Sequence, residues 1–184
     1  DLYVADIPTE SNEYRMGLRR GARVVLYHGR APASWQRFRE DVIAQGTTLA
    51  TLRFVLACYP HLMGGGAIVN MGSGSAIRPD LTAFGAYGAC KEAIRTMSRA
   101  AACEWGRDGI RVNVVLPLAM SPGMAGFLDE HPEALDGVLG AIPLGFIGDS
   151  TRDIGPAVVW LCSDAAGYVT GTSLCVDGGQ DYVR

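Results

Sequence analysis

Short β-branched segments alternate with long helical segments along this chain. Ala67-Ile-Val-Asn-Met71 predicts a strand, the apolar spacing from about Phe84 to Gly106 predicts a helix, and Arg111-Val-Asn-Val-Val-Leu116 predicts the next strand. Parallel strands require crossover segments of this kind, whereas antiparallel strands can be joined by a tight turn. The alternation therefore predicts an α/β fold, a single domain over residues 1–184 with a doubly wound parallel sheet and helices on both faces.

The remaining elements extend this pattern towards both ends of the chain. Between residues 121 and 148 the chain is rich in Gly, Pro and Met, and we expect an irregular segment with short helical pieces such as Pro132 to Leu139. A connection this long is often functional. We also predict strands over 2–7, 23–28 and 172–176, a weak helix over 12–20, a long helix over 34–62, and a helix through Cys162 capped by Asp149 or Ser150.

Composition narrows the classes of function. Of 184 residues, 48% are hydrophobic and 19% are charged, and the formal net charge is −3. The basic residues form no stripe of the kind that would bind nucleic acid or anionic lipid. No apolar run approaches a membrane span, and the first ten residues lack signal-peptide character. The five cysteines are odd in number and show no Cys-x-x-Cys spacing, so we expect reduced, buried thiols, no metal site and a cytoplasmic location.

The order of the elements nominates a site. In open parallel sheets, ligands bind beyond the carboxyl ends of the strands. Ser73, Tyr87 and Pro117 all follow predicted strands or begin the next helix. We therefore expect these three residues at one edge of the sheet.

Tyr87 and Lys91 form the central pair of this prediction. Positions i and i+4 share one face of a helix, so the phenol and the ammonium can reach the same pocket. A phenol has an unperturbed pKa of about 10, and a cation about 4 Å away can lower it towards neutrality. This spacing predicts that Lys91 lowers the pKa of Tyr87, which then acts as a general acid/base.

A tyrosine and a lysine at this spacing also occur by chance on exposed helix surfaces. The composition argues against chance, because the chain contains fifteen arginines and one lysine, which is Lys91. A compact ammonium in a chain that otherwise uses guanidinium groups indicates a specific requirement. Ser73, fourteen residues before Tyr87, can donate a hydrogen bond to a substrate carbonyl beside the phenol, and Ser75 is the competing candidate.

Several motifs together carry a family resemblance. Gly66-Ala-Ile-Val-Asn-Met-Gly-Ser73, Ala86-Tyr-Gly-Ala-Cys-Lys91 and Gly109-Ile-Arg-Val-Asn-Val-Val-Leu-Pro117 resemble the short-chain dehydrogenases/reductases. The tail resembles the same family at Ile142-Pro-Leu-Gly145, Tyr168-Val-Thr-Gly171 and Val176-Asp-Gly-Gly179. Motifs in this order cover roughly the last 140 residues of the chain.

The resemblance implies a Rossmann-like oxidoreductase that uses NAD or NADP to interconvert a secondary alcohol and a ketone. Tyr87 would be the general acid/base, Lys91 would also hold the nicotinamide ribose, and Ser73 would orient the carbonyl. Residues 34–117 would form the central helices and catalytic core, and residues 121–148 the substrate loop. A homodimer or homotetramer through the two long central helices and the last strand is implied as well.

The cofactor side departs from the family pattern. The family's glycine-rich phosphate turn does not occur before Gly64, so the first βα unit is missing and residues 1–33 resemble only part of a cofactor-binding region. By resemblance Asp6 ends the strand that binds the adenosine ribose and favours NAD over NADP, although an aspartate that merely ends a strand is nearly as good an explanation. Gly29 is retained from the family's Asn-Asn-Ala-Gly. The family's tetrad asparagine falls near Gly46 or Thr47, and Pro117, Met120 and Ser121 would contact the nicotinamide.

Two explanations of this shortened front end remain open: a fragment of a longer protein, or a truncated family member. The leading function is the oxidoreductase, and the alternative is a non-catalytic subunit or scaffold that has lost dinucleotide binding. An enoyl reductase fits less well, because those relatives space Tyr and Lys more widely. Several side chains of the 121–148 region and its flanks predict an apolar pocket wall, or packing on a neighbouring subunit: Met120, Met124, Phe127, Leu128 and Phe146.

Overall fold

A computed structural model describes residues 2–3, 23–24, 51–53, 55–78 and 85–181 of the chain. The predicted helix over 12–20 lies outside these residues, as does most of the predicted helix over 34–62. That second helix, α1, is helical at residues 51–53 and 55–62 and ends at Leu62, as predicted. None of the helices in the described ranges is long and apolar enough to cross a lipid bilayer.

A three-stranded parallel sheet forms the centre of the fold. Strands β3 (Ala67–Met71), β4 (Arg111–Pro117) and β5 (Ser173–Val176) lie in the order β3–β4–β5. β4 is central, and its five inner residues are buried because a strand pairs with it on each side. The three predicted strands are confirmed to within one residue at each end.

The first two strands differ from the prediction. The structure describes β1 (Leu2–Tyr3) and β2 (Arg23–Val24), which pair antiparallel as a separate two-stranded ladder. The prediction of one parallel sheet that includes both strands is therefore wrong for these residues. Antiparallel pairing is slightly more stable per residue than parallel pairing, which favours it for strands this short.

Helices cover both faces of the central strand. Val112 packs with Ala101 and Ala102 of α2 (Gly85–Trp105) and with side chains of α1, whereas Val115 packs with Leu161 of α5 (Gly155–Cys162). Residues 112 and 115 are an odd number of positions apart, so they point to opposite faces of the strand. This arrangement confirms the α/β fold with a sheet enclosed between helical layers.

The segment from 121 to 148 contains the short helical piece predicted from Pro132 to Leu139 and one further helix that was not predicted. It contains α3 (Pro122–Glu130), a 3₁₀ turn (Pro132–Ala134) and α4 (Leu135–Gly140). The glycines and prolines in it suggested irregular chain, but Pro122 stands in the first turn of α3, where a missing N–H costs nothing, and the Ser121 hydroxyl caps that helix.

The last helix begins as the sequence indicates. Asp149 accepts hydrogen bonds from the backbone N–H groups of Thr151 and Arg152 at 2.9 and 2.7 Å. A π-helical turn, Ser150–Ile154, follows this cap and leads into α5. Asp149 is therefore the capping residue, which settles the choice between Asp149 and Ser150.

Candidate active site

The carboxyl ends of β3 and β4 meet at one edge of the sheet. The two strands pair in register from Ala67 with Arg111 to Met71 with Val115. The chain leaves β3 at Gly72, whose N–H still bonds to the Val115 carbonyl at 2.8 Å. Ser73 therefore lies directly beyond the sheet edge, beside the end of β4, as the order of the elements predicted.

Tyr87 and Lys91 lie on one face of α2, near its first turn. The Lys91 Nζ atom is 5.7 Å from the centroid of the Tyr87 ring, a distance at which the ammonium interacts with the aromatic face. The Tyr87 side chain is 37% exposed, so an external molecule can reach it. The two groups do not point apart, and the phenol is not sealed within the core.

Lys91 connects α2 to the end of β3. Its ammonium is half-buried and donates a hydrogen bond to the Met71 carbonyl at 3.0 Å. Burial lowers the pKa of Lys91 below its ordinary value, because removal from water disfavours the charged form. A nearby thiol, that of Cys90, acts weakly in the opposite direction. The sheet edge thus carries a cation held beside the phenol.

Ser73 begins the segment that we call the serine loop, residues 73–78. The Ser73 hydroxyl oxygen accepts a hydrogen bond from the Ser75 N–H at 3.2 Å and so caps a 3₁₀ turn, Gly74–Ala76. A hydroxyl that accepts one bond retains its proton to donate. Ser73 is half-buried at the edge, and Ser75 is tied to it within the same turn.

The serine loop packs directly on α2 one residue after Tyr87. A Cβ atom built on Gly88 would lie 2.5 Å from the Ser75 carbonyl oxygen, so the loop and the helix approach as closely as a glycine permits. Gly88 is buried by this contact. The contact brings the loop that carries Ser73 to the helix turn that carries Tyr87 and Lys91.

The predicted nicotinamide contacts follow β4 at the same edge. Pro117 is the last residue of β4 and pairs with Val176. Met120 is exposed, and its N–H bonds to the Gly148 carbonyl at 2.7 Å. Ser121 caps α3 by accepting a bond from the Met124 N–H at 3.2 Å. The other two predicted cofactor residues, Asp6 and Gly29, lie outside the described residues, as do Gly46 and Thr47.

Comparison with known proteins places this arrangement in a family. A family model described as enoyl-(acyl carrier protein) reductase matches residues 34–181. A solved short-chain type dehydrogenase/reductase of Mycobacterium ulcerans is 31% identical and superposes with a TM-score of 0.67, covering 78% of this chain and 51% of that one. The chain belongs to the short-chain dehydrogenase/reductase family.

Two further matches bear on the chemistry of this short-chain dehydrogenase/reductase. A 12α-hydroxysteroid dehydrogenase of Clostridium sp. is 40% identical over 132 residues, which are 71% of this chain and 51% of that protein. The chain therefore spans about half the length of this curated relative. A structure described as a 2-deoxy-D-gluconate 3-dehydrogenase of Agrobacterium tumefaciens, with bound NADP, is 28% identical with a TM-score of 0.67, covering 82% of this chain and 62% of that one.

The nicotinamide end of a dinucleotide site fits the residues present. A half-buried ammonium at an open sheet edge can donate to ribose hydroxyls, because Lys91 has three N–H donors and the Met71 carbonyl takes one of them. The Ser121 hydroxyl retains a proton to donate while it caps α3.

Sequence reasoning missed one polar group at this edge. Asp181, beyond β5, forms an ion pair with Arg78 of the serine loop, with 3.3 Å between the Arg78 Nε and Asp181 Oδ1 atoms. More than a hundred residues separate the two in the chain, so no local spacing could reveal the pair. The Asp-Gly-Gly at 177–179 is the one local signal, since it predicts a tight turn that redirects the chain.

Proposed function

We propose that this chain is the catalytic part of an NAD(P)-dependent oxidoreductase that interconverts a secondary alcohol and a ketone. The observation that carries the proposal is the Tyr87 ring with the Lys91 Nζ atom 5.7 Å from its centroid, on an exposed face at the sheet edge. The serine loop, which begins with Ser73, packs on the same turn of α2. Membership of the short-chain dehydrogenase/reductase family supports the reaction class.

In this proposal each residue has one task. Bound NAD(P) supplies the hydride acceptor or donor. The Ser73 hydroxyl donates a hydrogen bond to the substrate oxygen and holds it in place. The Tyr87 phenol gives its proton to that oxygen during reduction and takes the proton back during oxidation. The Lys91 charge stabilises the phenolate that remains and binds the ribose hydroxyls.

We propose an apolar molecule with a ring hydroxyl as the substrate. The relative named 12α-hydroxysteroid dehydrogenase supports this class. Large apolar side chains exposed around the 121–148 segment also support it, because they would otherwise face water: Met120, Phe127, Leu144 and Phe146. A 12α-hydroxysteroid is therefore the first substrate to test.

The first experiment replaces Tyr87 with phenylalanine. With a 12α-hydroxysteroid and NAD or NADP, formation of the reduced cofactor should fall by about 10³-fold in kcat, the range of general acid/base catalysis. Tyr168→Phe is the matched control, because Tyr168 is fully exposed and lies outside the site. Both variants should keep the wild-type melting temperature. Retention of more than about a tenth of the activity in Tyr87→Phe would show that the phenol is not the acid/base.

The family model's description raises enoyl reduction as a second activity. The four-residue spacing of Tyr87 and Lys91 favours the carbonyl reaction, because enoyl reductases that resemble this chain space the two residues more widely. Oxidation of NAD(P)H with a 2-enoyl thioester, and none with a ketosteroid, would reverse that preference.

We also propose that the chain forms a homodimer or homotetramer through α1 and α2. An apolar groove of about 160 Å³ lies between these helices, and no candidate site residue lines it. Leu56 and Val55 of α1 line it, with Met97 and Trp105 of α2. Sedimentation of the protein as a monomer at micromolar concentration would contradict this assembly.

A further inference from the structure

The five residues that follow β5 form a tight turn around one buried carboxylate. Asp177 is 7% exposed, and its two oxygens accept hydrogen bonds from the Gly179 N–H at 3.0 Å and the Asp181 N–H at 2.7 Å. We call residues 177–181 the C-terminal turn. Because both bonds end on Asp177, the turn places the backbone of Asp181 firmly.

The Asp181 side chain leaves this turn and ends against the serine loop. Its side chain is only 4% exposed, and its Oδ1 atom lies 3.3 Å from the Arg78 Nε atom. Its Oδ2 atom lies against Gly74, where a Cβ atom would come within 1.7 Å of it. Both contacts fall on the loop that begins with Ser73, so the carboxylate touches the loop at its second and sixth residues.

The loop's own hydrogen bonds set its shape but not its position. The Ala76 N–H bonds to the Ser73 carbonyl, and the N–H groups of Ile77 and Arg78 both bond to the Gly74 carbonyl, each at 3.0 Å. All three bonds stay within the loop. The loop is fixed to the sheet before Ser73, through Gly72, and it rests on α2 where the Ser75 carbonyl meets Gly88. The carboxylate of Asp181 adds an attachment at the far end of the loop, at Arg78.

The burial of Asp181 makes this ion pair contribute more to the position of the serine loop than a pair between two exposed side chains would. Exposed pairs contribute little, and the Arg78 side chain is 40% exposed. Asp181, however, is buried, and its Oδ1 atom has no hydrogen-bond partner among the described residues. Burial raises the pKa of Asp181, the Arg78 charge opposes that rise, and the negative charge of the neighbouring Asp177 adds to it. Without Arg78 the loop would face an uncompensated buried charge.

We propose that Arg78 and Asp181 are positioning residues that hold the Ser73 hydroxyl in place for the substrate oxygen. This inference rests on the proposed function, in which Ser73 orients that oxygen. The expected loss of kcat follows from the position of the Ser73 hydroxyl, since a displacement of about 1 Å can cost about 10²-fold in rate. Substrate binding by other residues does not depend on the pair.

The test compares Arg78→Gln with Arg78→Lys, Asp181→Asn and the control Arg107→Gln. Arg107 is exposed on the turn after α2, away from the sheet edge. With a 12α-hydroxysteroid and NAD or NADP, Arg78→Gln should lower kcat by about 10- to 100-fold while KM changes by less than about threefold. Arg78→Lys should recover most of the loss, because it restores the charge, and Arg107→Gln should match the wild type.

Coupling between the two residues gives a second readout. Asp181→Asn should lower kcat to a similar extent, and the double variant Arg78→Gln/Asp181→Asn should lose no more than the larger single loss. Losses that multiply in the double variant would show that the two residues act independently, and would overturn the inference.

Hydrogen–deuterium exchange gives a readout that needs no turnover. In Arg78→Gln, amides of residues 76–78 should exchange at least about tenfold faster, while those of β4 stay unchanged. Wild-type kcat together with wild-type exchange in Arg78→Gln would overturn the inference. Faster exchange to the same extent in all described regions, with no recovery of kcat in Arg78→Lys, would also overturn it, because that result indicates a general structural role. A wild type inactive with every substrate and both cofactors contradicts the proposed function instead, and the exchange data still decide whether the pair holds the loop.

Discussion

Lys91 is the residue on which the proposed chemistry of this site depends most. It is the single lysine of the chain, and it lies half-buried between the Tyr87 ring and the Met71 carbonyl. A strongly hydrated ammonium is an expensive group to bury, and burial lowers its pKa. A single lysine in a chain with fifteen arginines favours a specific requirement for a compact cation at position 91.

The half-buried ammonium of Lys91 should make the free energy of unfolding depend on pH, and the variant Lys91→Met should lack this dependence. Because the pKa of Lys91 is lowered in the folded state, the unfolded chain binds more protons between that pKa and the ordinary value of 10.5. Stability therefore rises with pH through this window. The wild type should gain stability relative to Lys91→Met as the pH rises through this window towards 10.5, by at most about 1.4 kcal/mol per pH unit.

Urea unfolding of both proteins at several pH values measures this difference. Titrations of groups away from position 91 are common to both proteins and cancel in the comparison, and a Tyr87→Phe background for both proteins removes the phenol that Lys91 faces. A difference that stays flat, or that falls with rising pH, would mean that the burial of Lys91 does not disfavour its charge. Lys91→Met should also lose turnover, since the phenolate loses its neighbouring cation.

At this scale, sequence predicts local pairs and misses distant ones. Tyr87 and Lys91 are four residues apart on one helix, so helical geometry alone brings them together, and the structure places them as expected. Arg78 and Asp181 meet only because β5 lies beside β4 and the C-terminal turn reverses the chain. That meeting is a property of the folded sheet and has no spacing in the sequence.

Among the elements, β4 does most to organise the molecule. It pairs with β3 and β5, and its Asn113 side chain extends the pairing to the chain before β5. The Asn113 amide donates to the Val169 carbonyl at 2.9 Å, and its oxygen accepts from the Thr172 N–H at 3.1 Å. Both polar atoms of this buried side chain are thus hydrogen-bonded, and they join β4 to the chain before β5.

Replacement of Asn113 by alanine should destabilise the protein by about 2 kcal/mol, because it leaves two backbone groups without partners. Chemical unfolding measures the loss. Val159→Ala is the control, since Val159 is exposed on α5 and should change stability by less than about 0.5 kcal/mol. If Asn113→Ala and the control lose the same stability, water replaces the amide and its hydrogen bonds are unimportant.

Strands and caps of this fold are predictable because their signals are local. β3 matches its β-branched segment residue for residue, and Asp149 caps where an aspartate precedes a helix. The 121–148 region was expected to be irregular because glycine and proline are poor helix formers. The short helical piece predicted from Pro132 to Leu139 is confirmed by the 3₁₀ turn and α4, whereas α3 was not predicted and forms because Pro122 sits in its first turn and Ser121 supplies the cap.

At the scale of the whole molecule, the structure describes the sheet edge that carries the proposed catalytic residues and, of the proposed cofactor site, only the residues predicted to contact the nicotinamide. The three-stranded sheet and α2 carry Ser73, Tyr87 and Lys91, whereas Asp6 and Gly29 lie outside the described residues. The chain spans about half of its 12α-hydroxysteroid dehydrogenase relative. Whether the chain binds dinucleotide is therefore what separates the proposed oxidoreductase from a non-catalytic scaffold on the same fold.

Thermal unfolding with NAD and with NADP tests that choice on the intact chain. Cofactor at about 100 times its dissociation constant should add about 2.7 kcal/mol, which for a chain of this size raises the melting temperature by about 5–10 °C. NAD should give the larger shift, because an aspartate at position 6 would accept a hydrogen bond from the ribose 2′-hydroxyl and repel a 2′-phosphate. In Asp6→Asn the repulsion is gone, so the shifts with the two cofactors should approach each other. Millimolar NAD and NADP that both leave the melting temperature unchanged would instead support the scaffold, since a protein that does not bind the cofactor cannot be stabilised by it.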